Sequence, residues 1–236
     1  MKLRLSLQKD NHYFWRATDM TRTDVKICGI TSPSDYDVCA EAGAAFVGMV
    51  FYAMSPRHLS FEQAALINQH AQKRAHTGPK RVALTVNMDE AEMASMIGIT
   101  QPDILQLHGN ETPMQAQKLR LRHGLPIIKA IRIASADDLT VCEEWGSIAD
   151  WLLFDAKGDP GGLPGGTGHI FDWTLLANHA GKTKWMLAGG LSAENVGRAI
   201  ATTNAKAVDV SSGVESTPGK KDPRLIQAFV SAAHVG

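Results

Sequence analysis

The chain has 236 residues, 44% of them hydrophobic, and its 24 Lys and Arg residues are balanced by 24 Asp and Glu residues. This length suits one large domain with a sizeable core. The balanced charge argues against a nucleic-acid partner or a membrane surface and favours a small-molecule partner. The three cysteines form no CxxC pair, and nothing in the sequence has metal-ligand spacing, so neither a disulfide framework nor a metal site is predicted. With no apolar run near the roughly 20 residues that span a bilayer, a cytoplasmic protein is expected.

The first segment of the chain, residues 1–22, is predicted to be a dispensable N-terminal extension. It is too polar to be a signal peptide, and regular patterning begins only near Val25. Met20 offers a second possible translation start just before that pattern. We therefore expect the folded domain to cover residues 23–236.

From Val25 onward, eight short runs rich in Val, Ile and Leu alternate with helical patterns, an order typical of βα units around a parallel sheet. The predicted strands are residues 25–30, 45–51, 81–87, 104–109, 126–131, 151–156, 185–191 and 207–212. Helical patterns follow Ser60, Asp89, Glu111 and Ser192, and a last one, "DPRLIQAFVSAAHV", closes the chain. This order predicts an α/β fold, a single-domain TIM (β/α)8 barrel of eight parallel strands with its active site at the C-terminal strand ends. The alternative, an open doubly wound sheet, usually carries GxGxxG after its first strand, and "CGITSPSD" lacks it.

Polar residues in these strands are the first indication of a functional site. Strand residues alternate between the helical layer and the barrel interior. We expect the following polar residues to face inward: Lys26, Cys28, Thr85, Asn87, Gln106, His108, Lys129, Asp155, Asp209 and Ser211. Leaving such groups buried and unpaired would cost about 1 to 3 kcal/mol each. Their position toward the C-terminal strand ends therefore predicts a site rather than a plain core.

Two of these residues are candidates for acid and base chemistry. Cys28 ends the first strand with Lys26 on the same face, and a nearby ammonium favours the thiolate that acts as a base or nucleophile. The alternative for Cys28 is a small buried hydrophobe. Asp155 ends a strongly apolar strand, where desolvation would raise its pKa and suit a general acid. Its alternative is a helix cap or a partner for Lys129 or Lys157.

Two turns near the end of the chain predict a phosphate site. Small residues follow the seventh and eighth strands, in "LAGGLSAEN" and "DVSSGVES", where many barrels supply backbone N–H groups to a phosphate. The predicted donors are Gly189, Gly190, Ser211, Ser212 and Gly213.

Two further segments lie beyond strand ends. Residues 157–173, "KGDPGGLPGGTGHIFDW", form a glycine-rich loop that is either a lid over substrate or a plain connector. Arg57 follows the second strand, where an exposed guanidinium would make a two-point contact with a carboxylate; an ordinary surface arginine is the alternative.

With these residues in view, the chain resembles the phosphoribosylanthranilate isomerase family of the tryptophan pathway. The matching motifs run in order over about nine tenths of the sequence, and the most specific are "KICGIT", "DVSSGVE" and "PGKKD". The resemblance implies an Amadori rearrangement of N-(5-phosphoribosyl)anthranilate without any cofactor. It implies that Cys28 is the general base, Asp155 the general acid and Arg57 the ligand of the anthranilate carboxylate. The roles of Lys26, His108 and Asp209 stay open as supporting residues.

The sequence departs from the family pattern at two places. Ala83 and Thr85 in the third strand affect packing, whereas Ala53 and Met54 before Arg57 alter the rim of the predicted carboxylate site. A monomer is expected.

Two other functions are weighed against this one. One is a histidine-pathway sugar isomerase of the same barrel type, a family with a pair of Asp residues at the ends of two strands. Cys28 stands at the first of these positions and disfavours this function, although dual specificity stays open. A non-catalytic phosphoribosyl-binding protein is disfavoured because both Cys28 and Asp155 are present.

Overall fold

Eight parallel strands close into a barrel in chain order in the computed structural model, which describes residues 22–74, 78–156, 172–177, 179 and 181–235. The strands are β1 (Asp24–Cys28), β2 (Phe46–Phe51), β3 (Lys80–Thr85), β4 (Ile104–Leu107), β5 (Ile127–Ile133), β6 (Trp151–Ala156), β7 (Lys184–Leu187) and β8 (Ala207–Val210). Because β1 pairs with both β2 and β8, the sheet has no free edge. The predicted TIM barrel is confirmed and the open doubly wound sheet is wrong.

Helices follow most of the strands and form the outer layer. They are α1 (Pro33–Ala42), α2 (Phe61–Gln72), α3 (Glu90–Thr100), α4 (Pro113–His123), α5 (Cys142–Trp145), α6 (Val196–Thr203) and α7 (Pro223–Val235). Three 3₁₀ turns cover Ala136–Leu139, Trp173–Leu176 and Ser212–Val214, and a small antiparallel hairpin of β9 (Glu215–Thr217) and β10 (Lys220–Lys221) follows β8. None of the helices in the described ranges is long and apolar enough to cross a membrane.

Side-chain caps explain where several helices begin. Ser60 and Gln63 form a reciprocal capping box at the start of α2, and the Asp89 side chain accepts the Glu92 N–H at the start of α3. The helix predicted after Ser192 begins instead at Val196. The Asn195 side chain accepts the Ser192 N–H and donates to the Gly190 carbonyl, which holds this segment as a turn before the helix.

The barrel interior is apolar at one end and polar at the other. An apolar layer comes mostly from the first residues of the strands; its members are Phe46, Val82, Ile104, Ile128, Ala130, Trp151, Leu153, Met186, Ala188 and Ala207. A separate small cluster of Cys28, Val50 and Leu84 lies farther along the strands. The predicted inward positions of Lys26, Gln106 and Asp155 therefore lie at or beyond this apolar layer, toward the C-terminal strand ends.

Two of the predicted inward positions are wrong. Thr85 and Lys129 are both in register with Leu107, which packs in the outer core against the helices. The Lys129 ammonium lies 5.2 Å from the ring centroid of Trp145 in α5, on the helical side of the sheet. Asn87 lies beyond the end of β3, where its side chain accepts the Asn110 N–H.

Candidate active site

A buried ion pair joins the two strands that close the barrel. Lys26 in β1 is fully buried, and its Nζ donates to Asp209 Oδ1 of β8 at 2.9 Å. Burial disfavours the ammonium, but the Asp209 carboxylate and the Cys28 sulfur outweigh it and hold the pKa of Lys26 above its ordinary value. The Lys26 ammonium lies beside Cys28, and the Asp209 carboxylate partly offsets its charge there.

Cys28 itself is a buried thiol at the end of β1. Burial raises the pKa of Cys28 above the ordinary thiol value, Lys26 and Lys221 oppose this increase, and Asp209 adds to it. Lys26 thus acts on Cys28 in the predicted direction, toward the thiolate, but burial is the larger effect and Asp209 shares the ammonium.

Asp155 lies near the end of β6 and also faces the interior. Its Oδ1 accepts the Ala156 N–H at 2.9 Å, and its Oδ2 lies 3.4 Å from His108 Nε2. Its charge adds to the effect of burial in raising the pKa of Asp209. The alternative that Asp155 pairs with Lys129 is wrong, since Lys129 lies on the helical side and binds Glu111; Lys157 lies outside the described residues.

His108 is hydrogen-bonded to Gln106 at one ring nitrogen and faces Asp155 with the other. Gln106 Nε2 lies 2.9 Å from His108 Nδ1, so with the amide as donor the ring proton is on Nε2, which faces Asp155. The following loop is fixed by Glu111, which accepts the Gly109 N–H and pairs with Lys129 Nζ at 2.9 Å. The geometry therefore directs a histidine N–H toward the candidate acid.

The two small-residue turns meet at the same end of the barrel. A Cβ atom placed on Gly213 would lie 2.0 Å from the Leu191 carbonyl oxygen, so the turn after β8 packs directly on the segment after β7. No described residue accepts a hydrogen bond from the backbone N–H of Gly189 or Gly190. Ser211 Oγ donates to the Cys28 carbonyl at 3.1 Å, which ties the turn before Ser212 to the end of β1. The turn after β7 thus lies against Asp155 and Ala156, and the turn after β8 is tied to Cys28.

Arg57 is buried, not exposed as predicted, and it already makes a two-point contact with a carboxylate of this chain. Its Nε and Nη2 each donate to a different oxygen of Glu215 at 2.8 Å. A Cβ atom on Gly29 would lie 2.4 Å from Arg57 Cδ, so the side chain crosses directly over the residue after Cys28. Lys221 Nζ also donates to Glu215, at 2.8 Å.

Three residues of this end of the barrel were not among the predicted site residues. Gly48 lies in the predicted second strand, and Glu215 and Lys221 lie in the quoted motifs "DVSSGVE" and "PGKKD". Gly48 occupies an inward position of β2, in register with Cys28, and the alternation of "AFVGMVF" offered a signal for it. Nothing in the sequence indicated that Glu215 and Lys221 form an ion pair.

The predicted lid, residues 157–173, lies outside the described residues except for Asp172 and Trp173. Among the residues that the structure describes, no group of three or more His, Cys, Asp or Glu side chains is arranged to hold a metal ion.

A family model described as N-(5'-phosphoribosyl)anthranilate (PRA) isomerase matches residues 25–232 of the chain. The chain belongs to the PRA isomerase family. A curated relative from Parvibaculum lavamentivorans, named N-(5'-phosphoribosyl)anthranilate isomerase, is 48% identical over 212 residues, covering 89% of this chain and 97% of its own length. One of the same name from Rhodospirillum rubrum is 44% identical and covers 92% and 100%. The family resemblance predicted from the motifs is confirmed.

Solved structures of PRA isomerases have the same fold. The phosphoribosyl anthranilate isomerase of Thermotoga maritima matches with a TM-score of 0.79 and 34% identity over 89% of this chain and 98% of its own. A further PRA isomerase structure, a complex with reduced 1-(o-carboxyphenylamino)-1-deoxyribulose 5-phosphate, matches with a TM-score of 0.76 and 33% identity over the same shares.

Proposed function

We propose that this protein converts N-(5'-phosphoribosyl)anthranilate to 1-(o-carboxyphenylamino)-1-deoxyribulose 5-phosphate in tryptophan biosynthesis, with Cys28 as general base and Asp155 as general acid. Membership of the PRA isomerase family supports the substrate and the reaction. The observation that carries the assignment of residues is that Cys28 and Asp155 both face the barrel interior near the C-terminal ends of their strands. Asp209 lies between them in the sense that its charge acts on Cys28 and the charge of Asp155 acts on Asp209.

Ring opening comes first. Asp155 in its protonated form donates its proton to the furanose ring oxygen, the C1–O bond breaks, and the anthranilate nitrogen becomes an iminium. His108, whose Nε2 faces Asp155 Oδ2 at 3.4 Å, supplies a donor that stabilises the carboxylate left behind. The Ala156 N–H already hydrogen-bonded to Oδ1 acts in the same direction.

Proton removal comes second. The Cys28 thiolate takes the proton from C2 of the ribose chain, and the electrons move toward the iminium nitrogen to give an enol that tautomerises to the ketone. The charge of Lys26 stabilises the thiolate as it forms and opposes the effect of burial, which raises the pKa of Cys28. One proton is given and one is taken, so the rearrangement needs no redox partner.

The remaining groups bind the two ends of the substrate. The backbone N–H groups of the two turns bind the phosphate; the donors are Gly189, Gly190, Ser211, Ser212 and Gly213. Arg57 supplies positive charge for the anthranilate carboxylate beside Gly29. Phosphate and carboxylate are thereby held at opposite ends of a substrate whose sugar lies over Cys28.

The experiment that tests this function follows the loss of anthranilate-type fluorescence when the protein is added to freshly generated phosphoribosylanthranilate. Decay above the spontaneous rate that is abolished in Cys28→Ala and in Asp155→Asn supports both the reaction and the pair. Cys39→Ala is the matched control, because Cys39 is fully buried in the outer core. Full activity of Cys28→Ala would remove the base assignment.

The histidine-pathway phosphoribosyl substrate is assayed in parallel. Turnover of that substrate alone would assign the protein to the histidine-pathway sugar isomerases, and turnover of both would indicate dual specificity. No turnover of either by folded wild-type protein would leave a phosphoribosyl-binding function.

A further inference from the structure

The hairpin that follows β8 contacts the loop after β2. Glu215 starts β9 and Lys221 ends β10, and both side chains turn toward Arg57 at the barrel end. The turn between these strands, with Pro218 followed by Gly219, has the residues of a type II turn. A Cβ atom on Gly219 would lie 2.4 Å from the Pro56 carbonyl oxygen, so the hairpin rests on the backbone immediately before Arg57.

Glu215 is the centre of a buried group of three charges. Its side chain is 3% exposed, and it accepts two hydrogen bonds from Arg57 and one from Lys221. Burial would raise the pKa of Glu215, but the two cations outweigh it and hold this pKa below its usual value. A buried carboxylate with these partners fixes the plane of the guanidinium, which a flexible arginine side chain alone does not do.

The same group is linked by hydrogen bonds to β1, the strand that carries Cys28. Lys221 Nζ also donates to the Ser211 carbonyl at 3.0 Å, and Ser211 Oγ donates to the Cys28 carbonyl. The charge of Lys221 acts on Cys28 in the direction of the thiolate. Two cations and one carboxylate sum to one net positive charge, placed beside Cys28 and Gly29.

We propose that Glu215 is a positioning residue for substrate recognition, which orients the Arg57 guanidinium toward the carboxylate of the anthranilate ring. This inference rests on the proposed function, in which Arg57 binds that carboxylate. Glu215 does not contact substrate; it acts through Arg57. Its loss should therefore weaken recognition of the carboxylate and leave the remainder of the substrate unaffected.

The test compares two ligands that differ only in the carboxylate. One is reduced 1-(o-carboxyphenylamino)-1-deoxyribulose 5-phosphate, and the other is its counterpart made with aniline. Each Kd is measured by calorimetry on the same preparation of wild type, Arg57→Lys, Glu215→Gln and Glu215→Asp. The ratio of the two Kd values is the readout, because a fraction of unfolded protein affects both ligands equally.

Asp103→Asn is the matched control. Asp103 makes an equivalent two-point contact with Arg81, with both distances at 2.8 Å, at the start of β3 and thus at the other end of the barrel. Its loss should cost stability without changing the ratio of the two Kd values.

We expect the preference of wild type for the carboxylate ligand to fall on the order of tenfold in Glu215→Gln, because the Arg57 guanidinium is then no longer held in a fixed plane for its charge-assisted contact with that carboxylate. Glu215→Asp, which keeps the charge, should fall between Glu215→Gln and wild type. If Glu215→Gln kept the wild-type ratio of the two Kd values while Arg57→Lys lost the preference for the carboxylate ligand, the positioning role of Glu215 would be overturned. The proposed role of Arg57 would stand. Equal Kd values for both ligands in wild type would instead contradict the proposed role of Arg57.

Discussion

Gly48 of β2 lies directly against Cys28 of β1, its partner in the strand register. A Cβ atom on Gly48 would lie 2.8 Å from Cys28 Sγ and 3.3 Å from Lys26 Nζ. Real Cβ atoms do not approach a neighbour to 2.8 Å, so any side chain at this position must displace the thiol. The absence of a side chain at Gly48 therefore keeps the candidate base in place.

The first prediction concerns Gly48→Ala. Displacing the thiol by a few tenths of an ångström to about 1 Å should lower kcat up to about a hundredfold, because proton transfer depends steeply on position. Circular dichroism should still show a folded barrel. The measurement is kcat in the fluorescence-decay assay.

Gly98→Ala is the control for this prediction. Gly98 lies within α3, where an added Cβ atom meets nothing within 4 Å, so the change should leave kcat unaltered and stabilise the helix by up to about 1 kcal/mol. Unchanged kcat in Gly48→Ala would mean that the Cys28 thiol is not the group that limits the reaction.

The second prediction concerns the ionisation of Cys28. Because burial raises its pKa, the thiolate should form only at a pH above the ordinary thiol range, and its fraction should grow as the pH rises. The difference in thiolate ultraviolet absorbance between wild type and Cys28→Ser, titrated toward alkaline pH, isolates this one group. The other two thiols cancel in the difference, and burial raises the pKa of Cys39 to about 12 and that of Cys142 to about 11.

Lys26 opposes the effect of burial, so Lys26→Met should move the Cys28 titration to still higher pH. A difference signal that is already complete at neutral pH would show instead that the ammonium prevails over burial.

The sequence predicted the parts of the site that depend on a period of two within one strand. Lys26, Cys28 and Asp155 were assigned to the interior correctly because their neighbours are apolar residues that pack against the helices. Thr85 and Lys129 were assigned wrongly, since both faces of a barrel strand are buried and the apolar pattern then does not fix which face is inside. In "IIKAI" the polar residue was taken to face the site, whereas Glu111 and Trp145 cover it on the outer face.

Pairings between side chains of distant segments could not be predicted from the sequence. Arg57 and Glu215 are 158 positions apart, and neither composition nor spacing indicates that one carboxylate holds both Arg57 and Lys221. The Lys26–Asp209 pair was missed for the same reason. Lys26 was visible as the neighbour of Cys28, but Asp209, which shares the ammonium, lies 183 positions away from Lys26.

The third prediction concerns the stability of the Lys26–Asp209 pair. Asp209→Asn should lower the free energy of unfolding by about 3 to 5 kcal/mol, because it leaves a buried ammonium without its counter-charge. The double variant Lys26→Met with Asp209→Asn should recover a large part of that loss, since neither charge is then buried. The measurement is urea denaturation of the wild type, both single variants and the double variant at neutral pH.

Additive losses in the double variant would contradict this account of the pair. They would mean that the two side chains stabilise the barrel through separate contacts rather than through each other.

The fourth prediction concerns the N-terminal extension. A chain that begins at Met20 should unfold at the same urea concentration and show the same kcat/KM as the full chain. The physical reason is that β1 already has a partner strand on each side, in β2 and β8, so closure of the barrel requires no strand from the preceding segment. The shorter chain also keeps Arg22, whose Nη2 lies 2.9 Å from His234 Nδ1 in α7. The control is Arg22→Ala in the full-length chain. If this variant folded normally and the chain beginning at Met20 did not, residues 1–19 would contribute to the barrel domain itself.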